Sequence, residues 1–242
     1  MIFFWLFLLT ACSNNSKVDP HFHFTKMPAA ETGIAFNNNI SEDDSINVFT
    51  NEYMYNGAGV GIGDFNNDGL QDVFFCGSMV SSKLYINKGN FKFEDVTEMA
   101  GLQTNRWCTG VSVVDINDDG FQDIYVAASH STDKEKRKNL LFINDGRSRE
   151  GRGEVHFTEQ AAAYNLADTG YSTQAAFFDY DKDGDLDMYL LNHRLYSKTA
   201  NELQPRDTSG DSPAQDKLFR NDGVTAGRPY PVFTDVSEAA GI

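Results

Sequence analysis

Asp64-Phe-Asn-Asn-Asp-Gly-Leu-Gln-Asp72 recurs as Asp115-Ile-Asn-Asp-Asp-Gly-Phe-Gln-Asp123 and as Asp179-Tyr-Asp-Lys-Asp-Gly-Asp-Leu-Asp187. Repetition of one stretch in one context is the first feature to look for in a chain, because it fixes the architecture before any local propensity does. The context repeats as well. Before each copy lies a small-residue and apolar segment (57–63, 109–114, 172–178), and after it a nearly continuous apolar run (73–76, 124–128, 188–191). A third segment follows, Lys83-Leu-Tyr-Ile-Asn87, Asn139-Leu-Leu-Phe-Ile-Asn144 or Lys217-Leu-Phe-Arg-Asn221, and runs into Asn-Lys-Gly or Asn-Asp-Gly, which are hairpin turns by composition. A fourth closes each unit: 93–102, 157–166 and 233–242.

Each unit therefore predicts four short antiparallel strands, and the chain is all-β. Runs without strict apolar and polar alternation belong to sheets covered on both faces, as the blades of a β-propeller are. Gly57-Ala-Gly-Val-Gly-Ile-Gly63 suits an innermost strand crowded around the propeller axis. A nucleotide loop is the competing reading of these glycines, but an acidic loop and not a helix pattern follows them. Phe24-Thr-Lys-Met-Pro-Ala-Ala-Glu-Thr-Gly-Ile34 matches a fourth segment with one residue inserted, and it precedes any first segment. It predicts an orphan outer strand. Three units, at about 52–102, 103–166 and 167–242, fall short of the about four to eight blades of a closed ring, so the expectation is an incomplete ring and the N-terminal part of a longer protein.

Within each nonapeptide, positions 1, 3, 5 and 9 carry side-chain oxygens and position 6 is glycine, which permits the left-handed backbone that wraps a chain around one ion. The candidate ligands are Asp64, Asn66, Asp68 and Asp72 with the carbonyl of Leu70, then Asp115, Asn117, Asp119 and Asp123 with that of Phe121. In the third loop they are Asp179, Asp181, Asp183 and Asp187 with the carbonyl of Asp185. An all-oxygen shell rich in carboxylates favours Ca²⁺ over zinc or copper, which recruit His or Cys, and over Mg²⁺, which keeps more water. The third loop, with four carboxylates and Asp185 beside them, is expected to bind tightest. An EF-hand opens in the same way but needs Glu at position 12, where this chain has Phe75, Val126 and Leu190, and it needs helices where the flanks here are strand-like. The bland alternative, an Asx-rich turn that binds nothing, explains one loop more easily than three in one context.

Residues 2–11 are apolar but too short for the ~20-residue span of a membrane helix, and they end in Leu9-Thr10-Ala11-Cys12. This resembles a bacterial lipobox and implies a signal peptide at 1–11, lipidation of Cys12 and a tether at 12–21. The departure is the lack of Lys or Arg before the apolar core, which points to a start codon further upstream. Cys76 and Cys108 each lie in an apolar run, which favours buried thiols over the disulfide an exported protein could form. A net charge of −15 argues against a nucleic-acid partner.

Tyr55-Asn-Gly-Ala-Gly-Val-Gly-Ile-Gly-Asp64, the three nonapeptides, Tyr171-Ser-Thr-Gln-Ala-Ala-Phe-Phe-Asp179 and Asp187-Met-Tyr-Leu-Leu-Asn-His193 resemble the FG-GAP or VCBS repeats of integrin α-subunit propellers. They are closer to a bacterial group related to cartilage acidic protein, often ending in an ASPIC/UnbV domain. The resemblance covers about residues 22–242 and implies calcium-bound propellers in exported or surface proteins, with binding roles and no common catalytic residues.

Two functions follow as expectations. The first is a lipoprotein of the bacterial outer membrane, facing periplasm or cell surface, that binds a protein or glycan through the insertions at 131–138, 147–153 and 196–216. The second is a polysaccharide lyase or hydrolase on a calcium-bearing propeller, in which His193 and Arg194 would serve proton abstraction. Against it stand the missing Gly-x-Ser-x-Gly and His-Glu-x-x-His motifs and the commoner role of a strand-end His as an ordinary hydrogen-bond partner.

Overall fold

In the computed structural model, which describes residues 24–146, 154–194 and 212–242, each unit folds as one four-stranded antiparallel sheet. The first sheet holds β1 (Val60–Gly63), β2 (Asp72–Phe75), β3 (Lys83–Asn87) and β4 (Phe93–Asp95). The second holds β5 (Trp107–Val114), β6 (Asp123–Ser129), β7 (Leu140–Asn144) and β8 (Phe157–Glu159). The third holds β9 (Ser172–Phe178), β10 (Asp187–Asn192), β11 (Lys217–Asn221) and β12 (Phe233–Asp235). Strands lie side by side in chain order in every sheet, and no sheet closes on itself, as blades of an incomplete propeller would lie.

Sandwiching explains the apolar runs. All seven residues of β6 are buried, because the second sheet is covered on both faces. Phe65, Phe74, Leu84 and Ile86 meet Ile124, Val126, Phe142 and Phe157 across the first seam. Tyr125, Leu141 and Ile143 meet Met188, Leu190, Phe219 and Phe233 across the second. The outer sheets show the converse: Val60 and Ile62 are 54% and 61% exposed, whereas Val111, in the place of Val60 one sheet on, is 8% exposed.

Innermost strands stack directly. A side chain at Gly61 would come 2.9 Å from Val113 Cγ2, and one at Gly110 would collide with the Thr173 carbonyl. Beside that contact Ser112 Oγ donates to the Ala175 carbonyl at 2.5 Å, and Gln174 Nε2 to that of Val111 at 3.0 Å. The glycine-rich first segment is thus crowded by the next sheet, a contact distinct from the expected crowding around the propeller axis.

Fourth segments do more than supply a strand. After β4 the chain makes a turn ending in the left-handed Gly101 (φ 75°), which sits over the Phe157 carbonyl that opens β8, and Phe157 N–H donates to the Ala100 carbonyl at 2.9 Å. One sheet on, the left-handed residue is Asn165 (φ 61°): its Nδ2 donates to the Phe233 carbonyl at 2.7 Å, and Phe233 N–H to that of Tyr164 at 3.0 Å. The segment before the first sheet does the same. Its helical half forms as α1 (Ala29–Thr32), and Gly33 (φ 84°) sits over the Phe93 carbonyl. Its strand half, residues 24–26, carries no ladder, because no third strand lies beside it among the described residues. A last helical turn, α2 (Ser237–Ala240), ends in Gly241 (φ 78°), which has nothing within 4 Å of where a side chain would stand.

Cys76 and Cys108 are both buried and free. Cys12, the signal segment and the insertion at 147–153 lie outside the described residues, as does most of 196–216.

Candidate metal centres

Each nonapeptide joins the first strand of a sheet to the second, and the three fold alike. Position 1 accepts from the backbone N–H groups of positions 5 and 6: Asp64 from Asp68 (3.0 Å) and Gly69 (2.8 Å), Asp115 from Asp119 (3.1 Å) and Gly120 (2.8 Å), Asp179 from Asp183 and Gly184 (both 3.2 Å), with a third bond to Asp179 from Lys182 N–H at 2.6 Å. Position 5 accepts from the N–H of position 7: Asp68 from Leu70 (2.8 Å), Asp119 from Phe121 (2.9 Å), Asp183 from Asp185 (3.0 Å). The position 6 glycines are left-handed, with φ of 86°, 85° and 100°. Position 4 is left-handed too, at Asn67, Asp118 and Lys182 (φ 55°, 54° and 66°). Asn and Asp tolerate that conformation and Lys does so at a cost, so the third loop stores backbone strain that its first two relatives avoid.

Position 9 differs in character. Asp72, Asp123 and Asp187 open the second strands and are fully buried. One carboxylate oxygen of each accepts from position 2: Phe65 N at 2.9 Å, Ile116 N at 3.1 Å, Tyr180 N at 3.0 Å. The other accepts from the asparagine that ends the third strand: Asn87 N at 2.8 Å, Asn144 N at 2.7 Å, Asn221 N at 2.8 Å. Those asparagines reach back with their side chains to the carbonyls of Gln71 (3.0 Å), Gln122 (3.3 Å) and Leu186 (3.2 Å), at position 8. Their recurrence at the end of every third segment is a visible signal, but sequence composition explains it by the turn alone. That role is also real: each asparagine Oδ1 accepts from the glycine two residues on, at 2.9, 3.1 and 2.9 Å.

Burial pushes the Asp123 carboxyl up to about 7 and that of Asp72 up to about 6, against the pull of the two N–H donors and with help from the carboxylates at positions 5 and 1. Asp187 moves in the same direction for the same first reason. A cation beside these groups would reverse the shift, because its charge favours the ionised form.

The donor chemistry fits a hard cation. Asp179, Asp181 and Asp187 each bring an oxygen within 4.8 Å of the others, inside the about 5 Å that spans a Ca²⁺ shell of 2.3–2.6 Å radius. Position 9 uses two of roughly four lone-pair sites on N–H donors and keeps the rest. In the first two loops Asn66 and Asn117 stand at position 3, and each turns its amide nitrogen to the carboxylate of position 5, at 3.0 and 3.4 Å. A cation there would call for the amide oxygen instead.

Residues 64–126 match the family model FG-GAP-like repeat. Over these residues the chain carries an FG-GAP-like repeat. The matched stretch opens on the first residue of the first nonapeptide and runs through the second into β6, so the FG-GAP-like repeat is counted from loop to loop and straddles two sheets. No curated protein matches the chain. FG-GAP-like repeats form β-propellers typical of extracellular proteins, often binding modules, and no helix of the described residues is long and apolar enough to cross a membrane.

The first two loops, which the matched repeat spans, are also tied to each other. Asp64 N–H donates to Gln122 Oε1 at 2.8 Å, Asn67 Nδ2 to the Gly120 carbonyl at 2.9 Å, and Asn144 Nδ2 to the Phe65 carbonyl at 2.9 Å. The residue matching Gln122 in the third loop is Leu186, which has no amide to offer Asp115.

Proposed function

We propose that this chain is the calcium-stabilised propeller of an exported lipoprotein, anchored through Cys12, that presents its loops to a protein or glycan ligand. The observation that carries the metal half is the threefold loop. In all three copies positions 1, 5 and 9 accept from the same backbone donors, and in the third positions 1, 3 and 9 converge to one ion's dimensions. The binding half rests on the FG-GAP-like repeat and on the insertion at residues 131–138, where a 3₁₀ turn (Lys134–Arg137) stands at the end of the sheets opposite the metal loops. The loops serve the scaffold: each fastens the innermost strand to its neighbour at the point where carboxylates would otherwise repel.

His193, the residue on which an enzymatic reading turned, is committed elsewhere. Its Nε2 accepts from Ser129 Oγ at 2.9 Å, and Ser129 is fully buried, so the lone pair that proton abstraction would use is engaged in a bond that ties two sheets together. Binding of the calcium-loaded chain to a glycan array or to surface proteins without substrate turnover supports the module. Unsaturated sugar products released from an acidic polysaccharide would overturn it.

A further inference from the structure

Two histidines face each other at the end of the sheets opposite the metal loops. His130 directly follows β6, in a left-handed conformation (φ 60°), and His193 directly follows β10. Their ring centroids are 5.6 Å apart. His130 lies edge-on to Trp107 at 4.9 Å, and His193 edge-on to Tyr53 at 4.9 Å with Tyr171 at 6.2 Å. Residues from the segment before the first sheet and from the second and third sheets thus meet in one aromatic and imidazole cluster.

The hydrogen bonds specify the protonation state. His193 Nδ1 faces the Arg194 carbonyl at 3.2 Å and must donate to it, which leaves Nε2 as the lone pair that receives the Ser129 hydroxyl. His130 Nδ1 is buried and has no partner among the described residues, so a proton placed there finds no acceptor. Neither ring is hydrogen-bonded or ion-paired to a carboxylate among the described residues.

Charges on the surrounding elements are fixed or positive. Arg137, on the 3₁₀ turn, lies over the Tyr171 ring at 4.6 Å and donates to the carbonyls of Ser131, Thr132 and Thr169. Arg106 donates to the Lys138 carbonyl beside Trp107, and Arg194 adjoins His193. The acids nearby are engaged: Asp216 accepts from Asn192 N–H and the Tyr189 hydroxyl, Asp168 pairs with Lys217, Asp133 caps the 3₁₀ turn, and Glu52 is exposed.

We propose that His130 and His193 form an acid-sensitive latch across the seam between the second and third sheets, closed while both rings are neutral and opened when they take up protons. A closed latch would hold two like charges ring to ring next to fixed guanidinium groups, with one N–H left without an acceptor. Burial, with His193 beside it, pushes His130 down to about 4 from 6.5, and burial lowers His193 as well. Both groups therefore bind protons more readily with the seam open. Closure is fully favoured above about pH 6.5 and weakens as pH falls toward about 4, by roughly a few hundred-fold for His130 alone.

The test is hydrogen exchange of the seam strands, residues 107–114 and 172–178, in the calcium-saturated chain from pH 7.5 to 4, with rates corrected for intrinsic pH dependence. Trp107 fluorescence is followed in parallel. The comparison variant carries His130→Phe with His193→Gln, which keeps an acceptor for Ser129. Carboxylates are common to both proteins, so the difference isolates the histidines. We expect seam protection in the parent to fall by at least tenfold between pH 6.5 and 4 and to stay level in the variant, with Trp107 quenched only in the parent. Equal losses in both, or none in the parent, would overturn the latch. Should the variant not fold, NMR titration of the parent's imidazole protons decides: midpoints below 6.5 for both rings support it, and either ring at 6.5 or above refutes it.

Discussion

Asn144 N–H donates to Asp123 Oδ1 at 2.7 Å across 21 residues of chain, joining the end of a third strand to the last residue of an Asp-rich nonapeptide. The same contact joins Asn87 to Asp72 and Asn221 to Asp187. Position 9 is thus a buried brace as well as a candidate ligand, and the two roles separate by mutation. Asp123→Asn turns an N–H2 toward one of two buried N–H donors, a loss of about 1–3 kcal/mol even in chelator. Asp119→Asn keeps its acceptor for Phe121 N–H, so it should lower the melting temperature only when calcium is present. Thermal melts of both variants with and without EDTA check this. Equal behaviour of the two would refute the brace.

Calcium uptake should release protons. Without metal, Asp123 and Asp72 are raised to about 7 and about 6, so each holds a proton in the folded chain at a pH where the unfolded chain does not. Raised carboxylates stabilise the metal-free fold fully only below their ordinary value of 3.8, and that contribution is lost progressively as pH rises from there through about 6 to 7. A bound cation displaces those protons. Titration calorimetry at pH 6.0 in two buffers of different ionisation enthalpy should give different apparent heats of calcium binding, a difference that shrinks by pH 8. Identical heats at pH 6.0 would count against the buried carboxylates as ligands.

The first two loops should not bind independently. Gln122 of the second loop accepts from Asp64 N–H of the first, and Asn67 and Asn144 add two further bonds across the same gap. Gln122→Ala should weaken calcium binding at the first loop by about 1 kcal/mol, near fivefold, and leave the third unchanged. Site-resolved NMR titration reads this directly. An effect confined to the second loop would show that the bridge carries no coupling.

Sheet-to-sheet docking depends on a left-handed residue over a phenylalanine carbonyl. Gly101→Val meets both an unfavourable φ of 75° and the Phe157 oxygen 3.0 Å from its Cβ, and should cost about 2–4 kcal/mol. Gly241→Val meets only the φ of 78°, with nothing within 4 Å, and should cost about 1–2 kcal/mol less. Urea melts give the difference, and equal losses would argue that the carbonyl contact is incidental.

Much of this was legible in the residues, because a repeat states its architecture several times over. The apolar run at residues 124–128 announces a strand covered on both faces, and all of β6 is buried. In the third nonapeptide the spacing marks Asp179, Asp181 and Asp187, which bring oxygens within 4.8 Å of one another. Illegible were the relations that cross the chain: the Asn144 to Asp123 brace, the Gly101 seat on Phe157 and the pairing of His130 with His193. Each depends on sheet register and stacking, which local spacing does not encode. The orphan segment shows the boundary well. Its turn forms, because Gly33 has the Phe93 carbonyl to sit on, while residues 24–26 carry the sequence of a strand and pair with no strand among the described residues.

Differential scanning calorimetry of the chain in calcium and in EDTA at pH 7.5, alongside a chain with Asp64, Asp115 and Asp179 all changed to Asn, bears most directly on the metal loops. Occupied loops predict a melting temperature that rises with calcium concentration in the parent and is insensitive to it in the variant. A parent that melts at one temperature from EDTA to millimolar calcium would contradict the account.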